Sequence, residues 1–138
     1  MKNNKSIYKF IIMVIFCSIM LSVLALTVSA NEIEPRYTSI NTVDCYMVLD
    51  SQEGTASGIA MKKSSASSIE GTLVVYKQSG SGWIYIDQAY KSVTRGTLGV
   101  SINFAAESGV TYKAVWTVTA YTNGVGETVV IEDIKTCP

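Results

Sequence analysis

Histidine is absent from this chain. That removes the commonest general base and a frequent metal ligand together. Ser-His-Asp and Cys-His catalysis are excluded, as are His-containing zinc sites. Cysteine is nearly absent as well. Only Cys45 and Cys137 follow the first thirty residues, too few for a four-thiolate zinc centre. Beyond residue 30 there is no Ser-x-x-Lys motif, no Gly-x-Ser-x-Gly elbow and no Gly-Lys phosphate loop. The acidic residues are scattered rather than paired, and no run of basic residues offers a surface to nucleic acid or anionic membrane. Long segments of helical period are missing too. These absences point away from an enzyme and away from any cofactor or metal.

What is present begins with an export signal. Lys2, Lys5 and Lys9 give a basic start, residues 10–26 are almost unbroken apolar sequence, and Val28-Ser29-Ala30 supplies small residues for a signal peptidase. Residues 1–30 therefore read as a signal peptide cleaved near Ala30-Asn31, with the working protein secreted into an oxidising, extracellular setting. A permanent anchor is the competing reading. The apolar run is close to the roughly 17 to 25 residues needed to span a bilayer, but Ser18, Ser22 and Thr27 dilute it. Cys17 follows Phe16, where lipoprotein processing needs a small residue. Three of the 11 basic residues precede Phe10 and all 11 acidic ones follow Ala30, which leaves the rest of the chain at a net −3. Residues 31–138 suit a single domain with one core.

That domain reads as about seven short strands separated by Gly, Ser and Asn, the pattern of an all-β sandwich. Pro35 holds Glu34 extended in an entry segment. The expected strands cover residues 38–49, 55–62, 70–78, 83–90, 97–104, 110–121 and 127–135. Two-residue alternation places Val43, Cys45, Met47 and Leu49 on one face, Leu98, Val100, Ile102 and Phe104 on another, and Tyr112, Ala114, Trp116, Val118 and Ala120 on a third. In the weak second strand, Ile59 and Met61 are expected inward, with Ala56, Gly58 and Ala60 on the other side. Asn123-Gly124 marks a tight hairpin, and Ser79-Gly80-Ser81-Gly82 a second hairpin loop.

If that second loop is Ser79 to Gly82 alone, Gln78 faces Trp83, Lys77 faces Ile84 and Tyr76 faces Tyr85. Tyr76, Trp83 and Tyr85 then share one face. Leu73, Val75, Ile84 and Ile86 share the other and belong to the core. An exposed set of this kind can stack on sugar rings or anchor a protein partner. The competing reading is ordinary cross-strand packing of aromatic β-formers. The last residue set is structural. Tyr112 opens a strand just after the corner Ala105-Ala106-Glu107-Ser108-Gly109, the place of a tyrosine corner in Greek-key sandwiches. Cys45 and Cys137 form an even pair in an exported chain, so a disulfide between them is expected, with two free thiols as the alternative.

Residues 109–121 resemble the equivalent strand of fibronectin type III and other immunoglobulin-like domains. The export signal, Glu34-Pro35-Arg36-Tyr37-Thr38, the cysteine strand and the Gly/Ser loop before Trp83 together resemble small secreted immunoglobulin-like proteins of Gram-positive anaerobic bacteria. The resemblance implies an exported immunoglobulin-like domain and carries no activity with it. The functional expectation is a secreted, non-catalytic binding or adhesion module for an extracellular glycan or protein. The alternative is a structural subunit that assembles with itself or another envelope protein through edge strands.

Overall fold

A computed structural model describes residues 37–138. The expected signal peptide, its expected cleavage near Ala30-Asn31 and the entry segment around Pro35 lie outside these residues. Seven strands follow in order: β1 (Ile40–Leu49), β2 (Glu53–Lys62), β3 (Ser68–Ser79), β4 (Gly82–Val93), β5 (Thr97–Ala105), β6 (Thr111–Thr122) and β7 (Val125–Thr136). They form two antiparallel sheets, one of order β1-β2-β5 and one of order β4-β3-β6-β7. Among the described residues there is no helix.

Alternation decides which side of each strand is sealed. Met47 on β1, Leu98, Ile102 and Phe104 on β5, Leu73 and Val75 on β3, and Tyr112 through Ala120 on β6 all face one core. At its centre lies Trp116, fully buried on β6. Its ring rests against Gly71 in its own sheet and Gly58 in the other. A Cβ built on either glycine would stand 2.3–2.4 Å from the indole. The sheets therefore pack face to face around one large ring, and glycine on both sides makes room for it.

This fit overturns the expected facing of β2. Ala56, Gly58 and Ala60 point inward and are sealed, whereas Ile59 and Met61 are exposed. Hydrophobicity alone favours the larger side chains for the core. Volume reverses the choice, because Trp116 from the facing sheet and Phe104 from neighbouring β5 already fill the space over the inner side of β2: a Cβ on Gly54 would lie 2.4 Å from the Phe104 ring.

The turns follow local backbone chemistry. Asn123 (φ 51°) and Gly124 (φ 78°) occupy the left-handed region at the β6–β7 hairpin, as a two-residue turn with both central φ values positive requires. Ser79 pairs with Gly82, so the β3–β4 loop closes over Gly80 and Ser81 alone. Asp50 organises the β1–β2 turn: its Oδ1 accepts the amides of Gln52 and Glu53 at 3.0 and 2.8 Å. Those bonds hold its carboxyl below the ordinary carboxylate range.

β1 and β7 belong to different sheets but run side by side, joined by side chains instead of a backbone ladder. Glu127 accepts the amides of Thr38, Ser39 and Ile40. Further along, Asp133 accepts the Met47 amide at 2.7 Å, and Lys135 donates to the Met47 carbonyl at 2.5 Å. Cys137 Sγ donates to the Asp50 carbonyl. Residue numbers rise together along this seam, so the two strands are parallel.

That register corrects the expected disulfide. Both thiols are free. Cys137 sits beside Asp50, five residues further along β1 than Cys45. At about 3.3 Å per residue this is roughly 16 Å, well beyond the reach of a disulfide. Cys45 instead points to the Ala114 carbonyl. Burial, followed by the nearby Asp133 and Asp44 carboxylates, pushes its thiol up to about 11.

Candidate binding face

The outer side of the four-stranded sheet is built from the residues that alternate with the core. On β3 these are Glu70, Thr72, Val74, Tyr76 and Gln78; on β6, Thr111, Lys113, Val115, Thr117, Thr119 and Tyr121. Gln78 faces Trp83, Lys77 faces Ile84 and Tyr76 faces Tyr85, the register expected for a loop confined to this Gly/Ser turn. Between Val75 and Tyr76 the pairing slips, and Ile86 is the extra residue of a β-bulge. The bulge changes the parity of β4. Trp83 and Tyr85 lie on the outer face before it, and Gln88, Tyr90 and Ser92 join them there beyond it.

Ile84 departs from the expected core face, while Ile86 keeps to it in part. Ile84 is 54% exposed and Ile86 only half-buried. Ile86 still packs against the core from the bulge, whereas Ile84, nearer the turn, is open to solvent.

Trp83 (37% exposed) and Tyr85 (53% exposed) stand open to solvent, with Tyr76 half-buried between β4 and β6. Tyr76 and Tyr85 meet edge to face, their centroids 6.4 Å apart. The Lys113 ammonium lies 4.5 Å from the Trp83 ring centroid and 5.4 Å from that of Tyr76. A lysine thus links the two rings through cation–π attraction.

A second pair of tyrosines occupies the other end of the face. Tyr90 and Tyr121 donate their hydroxyls to the two oxygens of Glu70, at 2.9 and 2.8 Å. Hydrogen bonding to that carboxylate raises both phenol pKa values above the ordinary 10. Tyr90 is 63% exposed yet fixed by its hydroxyl. Threonine pairs bond across β6 and β7 at each end, Thr119 with Thr128 level with Glu70 and Thr111 with Thr136 beyond Lys113.

Sequence reading placed Tyr76, Trp83 and Tyr85 and missed Lys113, Glu70, Tyr90 and Tyr121. The signal for Lys113 and Tyr121 was present, because both alternate with the Tyr112–Ala120 core set. Tyr90 was hidden by the bulge, which no local motif announces.

Tyr112 is a separate, structural site. It is fully buried, its ring packs on Phe104 at 5.2 Å, and its hydroxyl accepts the Glu107 amide at 2.9 Å. The bond ties the start of β6 to the corner that precedes it.

On the opposite sheet an open cleft of about 570 Å³ lies between Gly54, Thr55, Asn103 and Phe104. Thr55 donates to Asn103 across it, and no aromatic cluster accompanies it. Among the described residues, no group of three or more Cys, Asp or Glu is arranged to hold a metal ion. No protein-family model matches the chain, and no curated protein matches it.

Proposed function

We propose that this chain is an exported, non-catalytic binding module that recognises an extracellular glycan or protein through the outer face of the β4-β3-β6-β7 sheet. The observation that carries the reading is the fixed aromatic corner of Trp83, Tyr76 and Tyr85 around Lys113. Exposed rings already held in place lose little freedom on binding, which is how a surface gains affinity without deep burial. The carboxylates support the non-catalytic side of the reading, because several already have structural work. Glu127 and Asp133 bond backbone amides across the β1–β7 seam, Asp50 bonds its own turn, and Glu107 pairs with Lys77.

The fold type we propose is a Greek-key, immunoglobulin-like sandwich of the fibronectin type III kind. The order β1-β2-β5 with β4-β3-β6-β7 supports it. The fourth strand pairs with the third, unlike the ABED and CFG sheets of antibody constant domains. The Tyr112–Glu107 bond at the β5–β6 corner supports it too. In this reading the chain is secreted after its signal is removed, in the manner of the small Gram-positive secreted proteins that it resembles.

Assembly through edge strands has less support. The seam side chains occupy backbone groups of β1. The β4 edge carries a bulge and the inward-facing charges Asp87 and Lys91, and Lys91 reaches the Gly99 carbonyl on β5. Bulges and inward charges are the usual guards against edge pairing.

The test is paired binding by the chain and its Trp83→Ala, Tyr85→Ala variant, on a glycan array and in pull-downs from envelope material. Binding that disappears in the double variant, with an unchanged thermal melt, is the expected result. Binding that survives it removes the aromatic corner from the function.

A further inference from the structure

We infer that the aromatic corner takes an acidic glycan, one whose sugar rings carry carboxylates, with Lys113 as the anion-binding residue beside the stacking rings. The inference rests on the binding-face reading above and narrows it to a ligand class. Its observation is the state of the Lys113 ammonium. Among the described lysines, Lys62, Lys63, Lys91 and Lys135 donate to backbone carbonyls and Lys77 to Glu107. Among the described residues, Lys113 is the one lysine that makes no hydrogen bond to an acceptor, its one partner being a loose ion pair with Glu132. The Glu132 oxygen is 3.9 Å away, too far for a hydrogen bond. Its side chain is only 19% exposed, held between the Trp83 and Tyr76 rings.

An ammonium in that position has N–H donors that the rings cannot accept as an oxygen would. It also places positive charge beside a stacking surface. A ligand complementary to this corner offers a flat, C–H-bearing face to Trp83 or Tyr85 and an anionic oxygen to Lys113. A uronic acid unit carries both groups on one ring. The polar positions around the corner suit its remaining hydroxyls: Gln78 lies opposite Trp83, and Thr111 and Thr136 end the neighbouring strands. An acidic peptide offers the charge but binds sheets most readily by adding a strand, and the guarded β4 edge beside the corner opposes that.

The experiment titrates the full chain with oligogalacturonate and, separately, with a neutral glucan oligomer of equal length. Binding is read by tryptophan fluorescence and by calorimetry. Trp116 is sealed in the core, so the fluorescence response reports Trp83, and calorimetry serves the variant that lacks it. The expected result is saturable binding of the acidic oligomer that weakens with added salt. Lys113→Met should reduce it by roughly tenfold or more, Lys113→Arg should retain most of it, and Trp83→Ala should abolish it. Circular-dichroism melts of the variants confirm that each folds. Equal binding of the neutral oligomer with no loss in Lys113→Met overturns the anion role and leaves the aromatic face standing. Failure to bind either oligomer, while Trp83→Ala still removes capture of an envelope protein, overturns the glycan class alone. Failure of every binding assay in both the parent chain and its variants overturns the face reading as well.

Discussion

Trp116 and the two glycines that admit it set the tolerance of the core. Adding one methyl at Gly58 drives a Cβ to 2.4 Å from the indole, and no flexible chain end is there to yield. Gly58→Ala should therefore cost about 1 to 3 kcal/mol, read as a lower urea midpoint at unchanged slope. Ile59→Thr, one residue away on the exposed side, should cost much less. That contrast also explains where sequence reading of β2 failed. Alternation correctly divided the strand into two sets but could not say which faced inward. The answer depends on a ring from β6, distant along the chain, and residue volume across a layer leaves no local pattern. Tyr112 presents the opposite case, since its position after a Gly-containing corner is a local signal. Tyr112→Phe removes the bond to the Glu107 amide and should cost about 1 kcal/mol by the same measurement.

Among the elements, β1 depends on charge as well as on its ladder with β2. Three amides and a hydroxyl at its start converge on the Glu127 carboxylate, and those bonds lower the Glu127 pKa below its ordinary 4.5. A lowered folded pKa means that the contribution is complete above the ordinary value and disappears as pH falls through the folded one. Asp50 acts in the same direction at the other end of β1, from an ordinary 3.8. Acid should loosen the first residues of β1 before the rest of the sheet. Hydrogen exchange at Thr38, Ser39 and Ile40 should accelerate as pH falls below the ordinary carboxylate value and through the lowered one of Glu127, once corrected for the intrinsic exchange rate. Glu127→Gln should show faster exchange already at neutral pH. The alkaline side has the reverse sign. The raised Tyr90 and Tyr121 values stabilise the fold below about pH 10, and that contribution is lost as these phenols ionise. The strand segments themselves were legible because most of the alternating runs end at turns built from Gly, Asn, Asp or Ser. The bulge at Ile86 was not, because its cause is the meeting of β4 with β3 and carries no residue signature.

For the whole molecule, the parallel seam between the first and last strands decides the state of the thiols. Iodoacetamide should label neither Cys45 nor Cys137 in the native protein, since Cys137 is sealed and the Cys45 thiol stays protonated until about pH 11. After unfolding without reductant, both should react. A disulfide found by mass spectrometry would require β1 to shift by about five residues against β7. Cysteine count and the expected export made the pairing attractive in the sequence, yet neither contains the stagger between strands of different sheets. The binding face was half legible for a related reason. Hairpin register follows from loop length and could be read directly, but Lys113 reaches Trp83 across an intervening strand.

The same seam has a mechanical consequence. Because β1 and β7 point the same way, tension drawn from the start of one and the end of the other slides them lengthwise. The Glu127, Asp133, Lys135 and Cys137 contacts then resist together, where an antiparallel pair would unzip in succession. Pulled from its two ends, the domain should therefore give way at a higher force than an antiparallel seam with the same contacts.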